Sequence, residues 1–233
     1  MVPSKTQIDK LGERVKHGEP TADDVRELDE YRRSFGPEYE EVVATIRRVL
    51  NLRPSGRRAK TIPSIIAKLQ REKIRLSQIQ DIAGCRIVVA DRIAQDRTVD
   101  TLRSTFAVPD RDLVDRRVEP SYGYRAVHLI VRLRGRAVEI QVRTTLQDQW
   151  AEVSEKFSDA IPDLKYGGGD EAIRNRLISA SEVANAIESL ETKLADGIVD
   201  DLAVTEEELA SIRTTLTQIF REMSEAAERY KLH

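Results

Sequence analysis

The sequence predicts an α/β protein of the α+β kind: a mixed, mostly antiparallel central sheet flanked by helices, with helical extensions at both ends. Three observations predict it. Ser121 to Thr144 alternates apolar and polar residues with a period of two on either side of the tight turn Arg134-Gly135-Arg136, the pattern of a hairpin. Apolar residues before position 50 and after position 146 recur instead at helical spacing. Between these regions, Cys85-Arg86-Ile87-Val88-Val89-Ala90 is a short apolar run entered through Gly84, as expected of a buried strand. The boundaries drawn are N-terminal helices covering the sheet (1–52), a central core (53–160) and a C-terminal helical hairpin (161–233).

Taken in order, Thr21 followed by Asp23 and Asp24 starts a helix on which Val25, Leu28, Tyr31 and Phe35 share a face. Gly36-Pro37 interrupts it, and Val42, Val43, Ile46 and Val49 mark the next helix. From Arg53 to Arg75 the character changes, with eight basic residues against the single acid Glu72. A helix is expected from about Ile62, with Pro63 tolerated in its first turn. Ser64, Lys68 and Arg71 then share one face while Ile65, Ile66 and Leu69 supply the buried one. Cations at a helix start suit a polyphosphate, because amide N–H groups and the helix dipole both favour anions there; a solvated basic face is the alternative. Asp81 stands just before the apolar run, where a carboxylate can hold a metal ion or cap a turn.

Asp91 to Phe106 reads as a helix and Asp112 to Val118 as a short strand. In the hairpin, Val127, Leu129, Val131 and Leu133 face one way and His128, Ile130 and Arg132 the other. Val138, Ile140 and Val142 alternate with Glu139, Gln141 and Arg143. The face with His128, Glu139, Gln141 and Arg143 is either the floor of a site or a solvated antiparallel face. Leu146, Trp150, Val153 and Phe157 follow as a helix of about four turns. Gly167-Gly168-Gly169 lies in a loop with no phosphate-loop context. Two long helices close the chain, the second opened by a Thr205–Glu208 capping box and striped by Leu209, Ile212, Leu216, Ile219, Met223, Ala226 and Tyr230. That stripe suits packing within the chain or a homo-oligomer.

Bulk properties exclude some classes. With 38 basic and 40 acidic groups the net charge is -2, so no global field draws the chain to nucleic acid or to an acidic membrane. The single cysteine, Cys85, allows neither an internal disulfide nor a thiolate zinc cluster, and its apolar neighbours point to packing. The first residues carry no apolar stretch like a secretion signal, and no uncharged run nears the ~20 residues that span a bilayer, so a cytoplasmic protein is expected.

Three segments stand together in a recognisable order: Arg58-Ala-Lys60-Thr-Ile-Pro-Ser64-Ile-Ile-Ala-Lys68; Asp81-Ile-Ala-Gly-Cys-Arg86; and Gly123-Tyr124-Arg125-Ala-Val-His128 with Glu139-Ile-Gln141-Val-Arg143-Thr. Together they resemble the synthetase domain of the RelA/SpoT family of nucleotide pyrophosphokinases, over roughly Val43 to Phe157. The resemblance implies a nucleotidyltransferase-like synthetase fold and a small alarmone synthetase or a related toxin. The implied reaction moves the β,γ-pyrophosphate of ATP to the 3′-hydroxyl of GDP or GTP with Mg²⁺, making (p)ppGpp and releasing AMP. It also implies roles: Arg58 and Arg86 on either side of adenine; Lys60, Ser64, Lys68 and Arg71 on the ATP phosphates; Asp81 and Glu139 on the metal. Glu139 is in addition the group that orients or deprotonates the attacking hydroxyl. Tyr124 would stack on the acceptor base, with His128 and Gln141 nearby. The family's Asn-Pro-Lys-x-Asn-Gly-Tyr run is here Val118-Glu119-Pro120-Ser121-Tyr122-Gly123-Tyr124, with Pro120 for lysine and Tyr122 for asparagine. The ATP half is thus intact and the acceptor half altered. A tRNA 3′ end or an adenine nucleotide is the alternative acceptor, with an antitoxin as the partner a toxin would require. A catalytically silent nucleotide- or RNA-binding regulator is the third reading.

Overall fold

The computed structural model describes residues 4–57, 59–197 and 205–230. Local signals set most of the helices. A capping box of Ser4 with Gln7 opens α1 (Lys5–His17), and one of Thr21 with Asp24 opens α2 (Ala22–Arg33). Gly36-Pro37 does not merely interrupt; it forms the first turn of α3 (Gly36–Leu50), where proline's missing N–H has no helical partner to lose. After β1 (Ser55–Arg57), Thr61 caps α4 (Ile62–Arg71), again with proline in the first turn. Then come β2 (Ala83–Val89), α5 (Arg92–Phe106), β3 (Leu113–Asp115), β4 (Val127–Leu133) and β5 (Arg136–Thr144). The C-terminal part holds α6 (Thr145–Ala160), α7 (Glu171–Ala195) and α8 (Glu206–Tyr230). Thr205 and Glu208 make the reciprocal hydrogen bonds expected of a capping box, at 3.2 and 2.7 Å.

The strands form one five-stranded sheet in the order β1-β2-β5-β4-β3. β1 pairs antiparallel with β2, setting Gly56 opposite Cys85 and Ser55 opposite Arg86. β4 and β5 are joined by a two-residue turn in which Arg134 (φ 47°) and Gly135 (φ 79°) are both left-handed, the type I′ geometry that matches strand twist.

The described residues pack as two compact units. The first draws on Met1–Ile87, Thr101–Leu113 and Leu129–Gln141, the second on Val88–Asp100, Val114–His128 and Val142–His233. In the first, α1 packs on α4 and on the short 3-10 turn Leu76–Gln78, and α2 packs on α1 and α4. Ile8, Leu11, Leu28, Val42, Ile46, Ile65, Leu69, Leu76 and Ile82 are buried there. The hairpin turn is tied to α3 by Arg134, which donates to Glu38 at 2.9 Å and to Glu41 at 2.8 Å. Arg136 lies over the rings of Tyr31 and Phe35, at 5.3 and 4.8 Å from their centroids.

In the second unit, α6, α7 and α8 pack on one another around Leu146, Trp150, Phe157, Leu177, Ile187, Leu216 and Phe220. The Trp150 Nε1–H donates to the Leu177 carbonyl at 2.6 Å. Glu188 of α7 is buried yet satisfied: it accepts from Gln147 at 3.0 Å, from Arg92 at 3.4 Å and from the Thr144 hydroxyl. The stripe on α8 differs from the expected one. Leu209, Leu216, Phe220 and Ala227 are buried, while Ile212, Ile219 and Tyr230 are exposed. Spacing of three and four leaves adjacent helix faces in competition, and the larger Phe220 takes the inward position beside Ile219. No helix among the described residues is long and apolar enough to cross a membrane.

Candidate active site

In the first unit, three of the sequence-predicted residues meet directly. Lys60 Nζ bonds Asp81 Oδ2 at 2.7 Å, and Lys68 Nζ bonds Asp81 Oδ1 at 2.9 Å. Lys60 reaches this point because its own N–H donates to the Ile82 carbonyl at 2.6 Å, holding the strand-to-helix connection against the residue after Asp81. Lys68 reaches it from the last turn of α4. Each of the three side chains is about a fifth to a quarter exposed. Burial alone pushes the Asp81 carboxyl upward, but the two ammonium groups outweigh that and hold it below the usual carboxylate range.

Glu139 and Gln141 project from β5 two residues apart, and the Gln141 amide donates to Glu139 Oε2 at 2.7 Å. Beside them on β2 lies Gly84, where an added Cβ would sit 3.0 Å from the Glu139 carbonyl oxygen and 3.4 Å from its Cβ. Hydrogen at that position lets β2 approach the strand that presents Glu139. Cys85 is buried, and burial, with Glu139 adding negative charge, pushes its thiol up to about 12. It packs, as expected.

The remaining predicted residues of this unit are less gathered. Arg86 is half-buried on β2. Ser64, in the first turn of α4, accepts from the Thr61 hydroxyl at 2.7 Å. Arg71, exposed at the end of the same helix, pairs with Glu72 at 2.8 Å. Arg58 lies outside the described residues.

The second unit brings together Tyr124 and His128, and adds two residues that the sequence reading did not assign. Arg143 donates through Nη2 to the Tyr124 hydroxyl at 3.2 Å and through Nη1 to Asp148 at 3.0 Å. The Tyr124 hydroxyl also lies 3.0 Å from His128 Nε2. A guanidinium can only donate, so the hydroxyl accepts from Arg143 and its own hydrogen is available to His128. Arg143 further lies over the Tyr124 ring, 5.2 Å from its centroid. Burial opposes its charge, but Tyr124 and Asp148 more than compensate and raise its pKa further. The solvated-face alternative for this strand therefore fails at Arg143, which is 3% exposed. Its sequence signal was the alternation that set it with Glu139 and Gln141. Nothing in the sequence announced Asp148, which meets it from the first turn of α6.

Among the described residues no group of three or more His, Cys, Asp or Glu side chains is arranged to hold a metal ion. The two carboxylates expected on a metal, Asp81 and Glu139, are of the chemical kind that suits Mg²⁺, which is ordinarily bound by one or two carboxylates completed by water and substrate phosphate.

Comparison with known proteins agrees with these motifs. Residues 57–158 match the family described as the region found in RelA / SpoT proteins. Uncharacterised proteins of Mycobacterium bovis and Mycobacterium tuberculosis are 38% identical over 157 residues, 65% of this chain. The chain spans about half the length of these curated relatives, 54%. Among solved structures, small alarmone synthetase 1 of Bacillus subtilis bound to its product pppGpp superposes with a TM-score of 0.60 at 24% identity, covering 74% of this chain and 98% of that one. A GTP pyrophosphokinase family protein of Streptococcus pneumoniae gives 0.55 at 23% identity, with 74% and 94% covered. Residues 57–158 thus match the region found in RelA / SpoT proteins, and the chain's fold is similar to that of the small alarmone synthetases.

Proposed function

We propose that this chain is an ATP-dependent nucleotide pyrophosphokinase that transfers the β,γ-pyrophosphate of ATP to the 3′-hydroxyl of GDP or GTP. The observation that supports it best is the pairing of Lys60 and Lys68 on Asp81 inside the RelA/SpoT region. Two lysines, one just before the cap of α4 and one in its last turn, converge on one carboxylate and would offset part of the charge of a triphosphate, and the carboxylate between them is the group a phosphate-bound cation needs. The synthetase of like fold from Bacillus subtilis has been solved with pppGpp and with AMPCPP.

In this reading Lys60 and Lys68 exchange Asp81 for phosphate oxygens, with Ser64 and Arg71 extending the same helix face. Arg58 and Arg86 hold the adenine, a stacking task suited to planar guanidinium. Asp81 and Glu139 hold Mg²⁺, which supplies neutralisation of the charge on the transferred group. The 3′-oxygen forms a bond to the β-phosphorus, the bond from that phosphorus to the α,β-bridging oxygen breaks, and AMP leaves. Glu139 takes the hydroxyl proton, and the Gln141 amide fixes the carboxylate's orientation by its hydrogen bond to Oε2. Tyr124 and His128 hold the acceptor, their shared hydrogen bond kept in place by buried Arg143.

The test is incubation with ATP labelled in the β,γ positions and Mg²⁺, with GDP, GTP, ATP and deacylated tRNA offered separately. Label on GDP or GTP with stoichiometric AMP is expected. Label on tRNA alone, or AMP formation without any labelled acceptor, would overturn the assignment.

A further inference from the structure

The N-terminal helix α1 lies outside the matched residues 57–158, yet it packs on both elements that carry the Lys68–Asp81 contact. One is α4, which bears Lys68. The other is the 3-10 turn Leu76–Gln78, which leads into Asp81. All of these belong to the first unit. On one side α1 buries Ile8, Leu11, Gly12 and Val15, and on the other the turn and the residues after it bury Leu76, Ile79 and Ile82.

Two residues of α1, three apart and so on one helix face, act on the turn itself. The first amides of a helical turn have no partner within it. Here the turn is closed by the Gln78 N–H on the Arg75 carbonyl at 2.9 Å and by the Ile79 N–H on the Leu76 carbonyl at 3.3 Å. The Ser77 N–H is left over, and Asp9 Oδ1 accepts it at 3.0 Å. Arg75 Nη1 lies farther off, 4.0 Å from Asp9 Oδ2, so the amide is the closer partner. Gly12 stands against Leu76, where an added Cβ would sit 2.7 Å from the Leu76 Cβ and 3.3 Å from its backbone nitrogen. Neither atom is the far end of a flexible side chain, so alanine at position 12 would force α1 and the turn apart. Asp81 follows Ser77 by four positions, and just beyond it the Ile82 carbonyl takes the Lys60 N–H at 2.6 Å. Asp81 therefore hangs between a turn fixed by α1 and a strand entry fixed by Lys60.

We propose that Asp9 and Gly12 are positioning residues for the triphosphate site: together they seat the turn against α1 so that Asp81 meets both Lys60 and Lys68. The proposal rests on the reading above that this cluster receives ATP with Mg²⁺. A group held at both ends passes on the displacement of either end, and displacements well under an ångström are felt where several charges must converge. If α1 were only a cover, loosening it would lower stability and leave the affinity of the folded protein unchanged.

The test is calorimetric titration with ATP and Mg²⁺, well below each melting temperature, of the wild type, Asp9→Ala, Asp9→Asn, Gly12→Ala and Asp24→Asn. Asp9→Ala and Gly12→Ala should each weaken binding by about tenfold. Asp9→Asn keeps an oxygen able to accept the Ser77 N–H and should bind within about threefold of the wild type. Alanine favours a helix more than glycine does, so a loss in Gly12→Ala cannot come from a weaker α1. Asp24→Asn loosens the Arg14–Asp24 contact of 2.6 Å that ties α1 to α2 away from the turn. It should lower the melting temperature and leave the affinity for ATP unchanged. A wild type that binds no ATP overturns the triphosphate reading and this proposal with it. A wild type that binds, with Asp9→Ala and Gly12→Ala binding as well, overturns the positioning alone. So does Asp9→Asn or Asp24→Asn binding as weakly as Asp9→Ala.

Discussion

Replacing Asp81 with Asn tests the proposed triphosphate site, because the same change should harm stability and help one kind of binding. At 2.7 and 2.9 Å and an effective dielectric of about 20, each ammonium–carboxylate contact has a gross attraction of roughly 6 kcal/mol, most of it cancelled by desolvation. Removing one partner of a fully buried pair costs about 3–5 kcal/mol. Here the three side chains keep 21–23% exposure, and water recovers part of that, so about 2 kcal/mol is expected. For a chain of this size that lowers the melting temperature by roughly 4–8 °C. Binding should move the other way. With Asp81 gone, Lys60 and Lys68 no longer have a carboxylate to give up, and ATP in Mg²⁺-free buffer should bind roughly 5–30-fold more tightly, equivalent to about 1–2 kcal/mol. With Mg²⁺ present, turnover should fall sharply. Calorimetric titration with and without EDTA reads both arms. If Mg²⁺-free ATP binds the variant no better than the wild type, the two lysines are structural partners of Asp81 and do not receive phosphate.

Other outcomes are checked more simply. Glu139→Gln should lower turnover by about 10²–10⁴-fold while ATP affinity changes little, read by single-turnover kinetics against equilibrium binding. Gly84→Ala forces β2 or Glu139 to shift by a few tenths of an ångström, and should lower turnover by about tenfold with only a small change in melting temperature. Asp81, with a folded pKa below its unfolded value of about 3.9, contributes stability above that pH and loses it as pH falls through the folded value. The melting temperature of the wild type should therefore drop more steeply than that of Asp81→Asn below about pH 4. Cys85, with its thiol pushed up to about 12, should resist a thiol reagent at pH 8 in the folded protein and react at once in denaturant.

What could be read beforehand depended on how local each signal was. Thr21 with Asp24, Thr205 with Glu208 and the period-two hairpin act over three or four residues, and each gave the expected element. Lys68 was named from helix spacing, Asp81 from its place before the apolar run and Lys60 from motif order, and their meeting requires the fold to bring α4 beside the entry to β2. Sequence gave no route to Arg143 and Asp148 as a pair, because a buried arginine reads like any other residue on a polar strand face. The α8 stripe went astray for a related reason: Ile219 and Phe220 are neighbours, and only the packing of α6 and α7 decides which turns inward. Tyr122 was visible as an odd residue, but its left-handed backbone was not.

The Arg134-Gly135 turn, tied to α3 through Glu38 and Glu41, also acts as a ruler. Every side chain of β5 inherits its facing from where that turn ends, since strands alternate strictly. An extra residue inserted between Arg134 and Arg136 would exchange Glu139, Gln141 and Arg143 for Val138, Ile140 and Val142 on the same face, displacing three candidate-site positions with none of those residues altered. A pair of inserted residues would restore the facing but move each side chain along the strand by roughly 7 Å. A loop that looks like a harmless place to lengthen or tag this protein is therefore among the worst choices, whereas the exposed start of α1 leaves that register untouched.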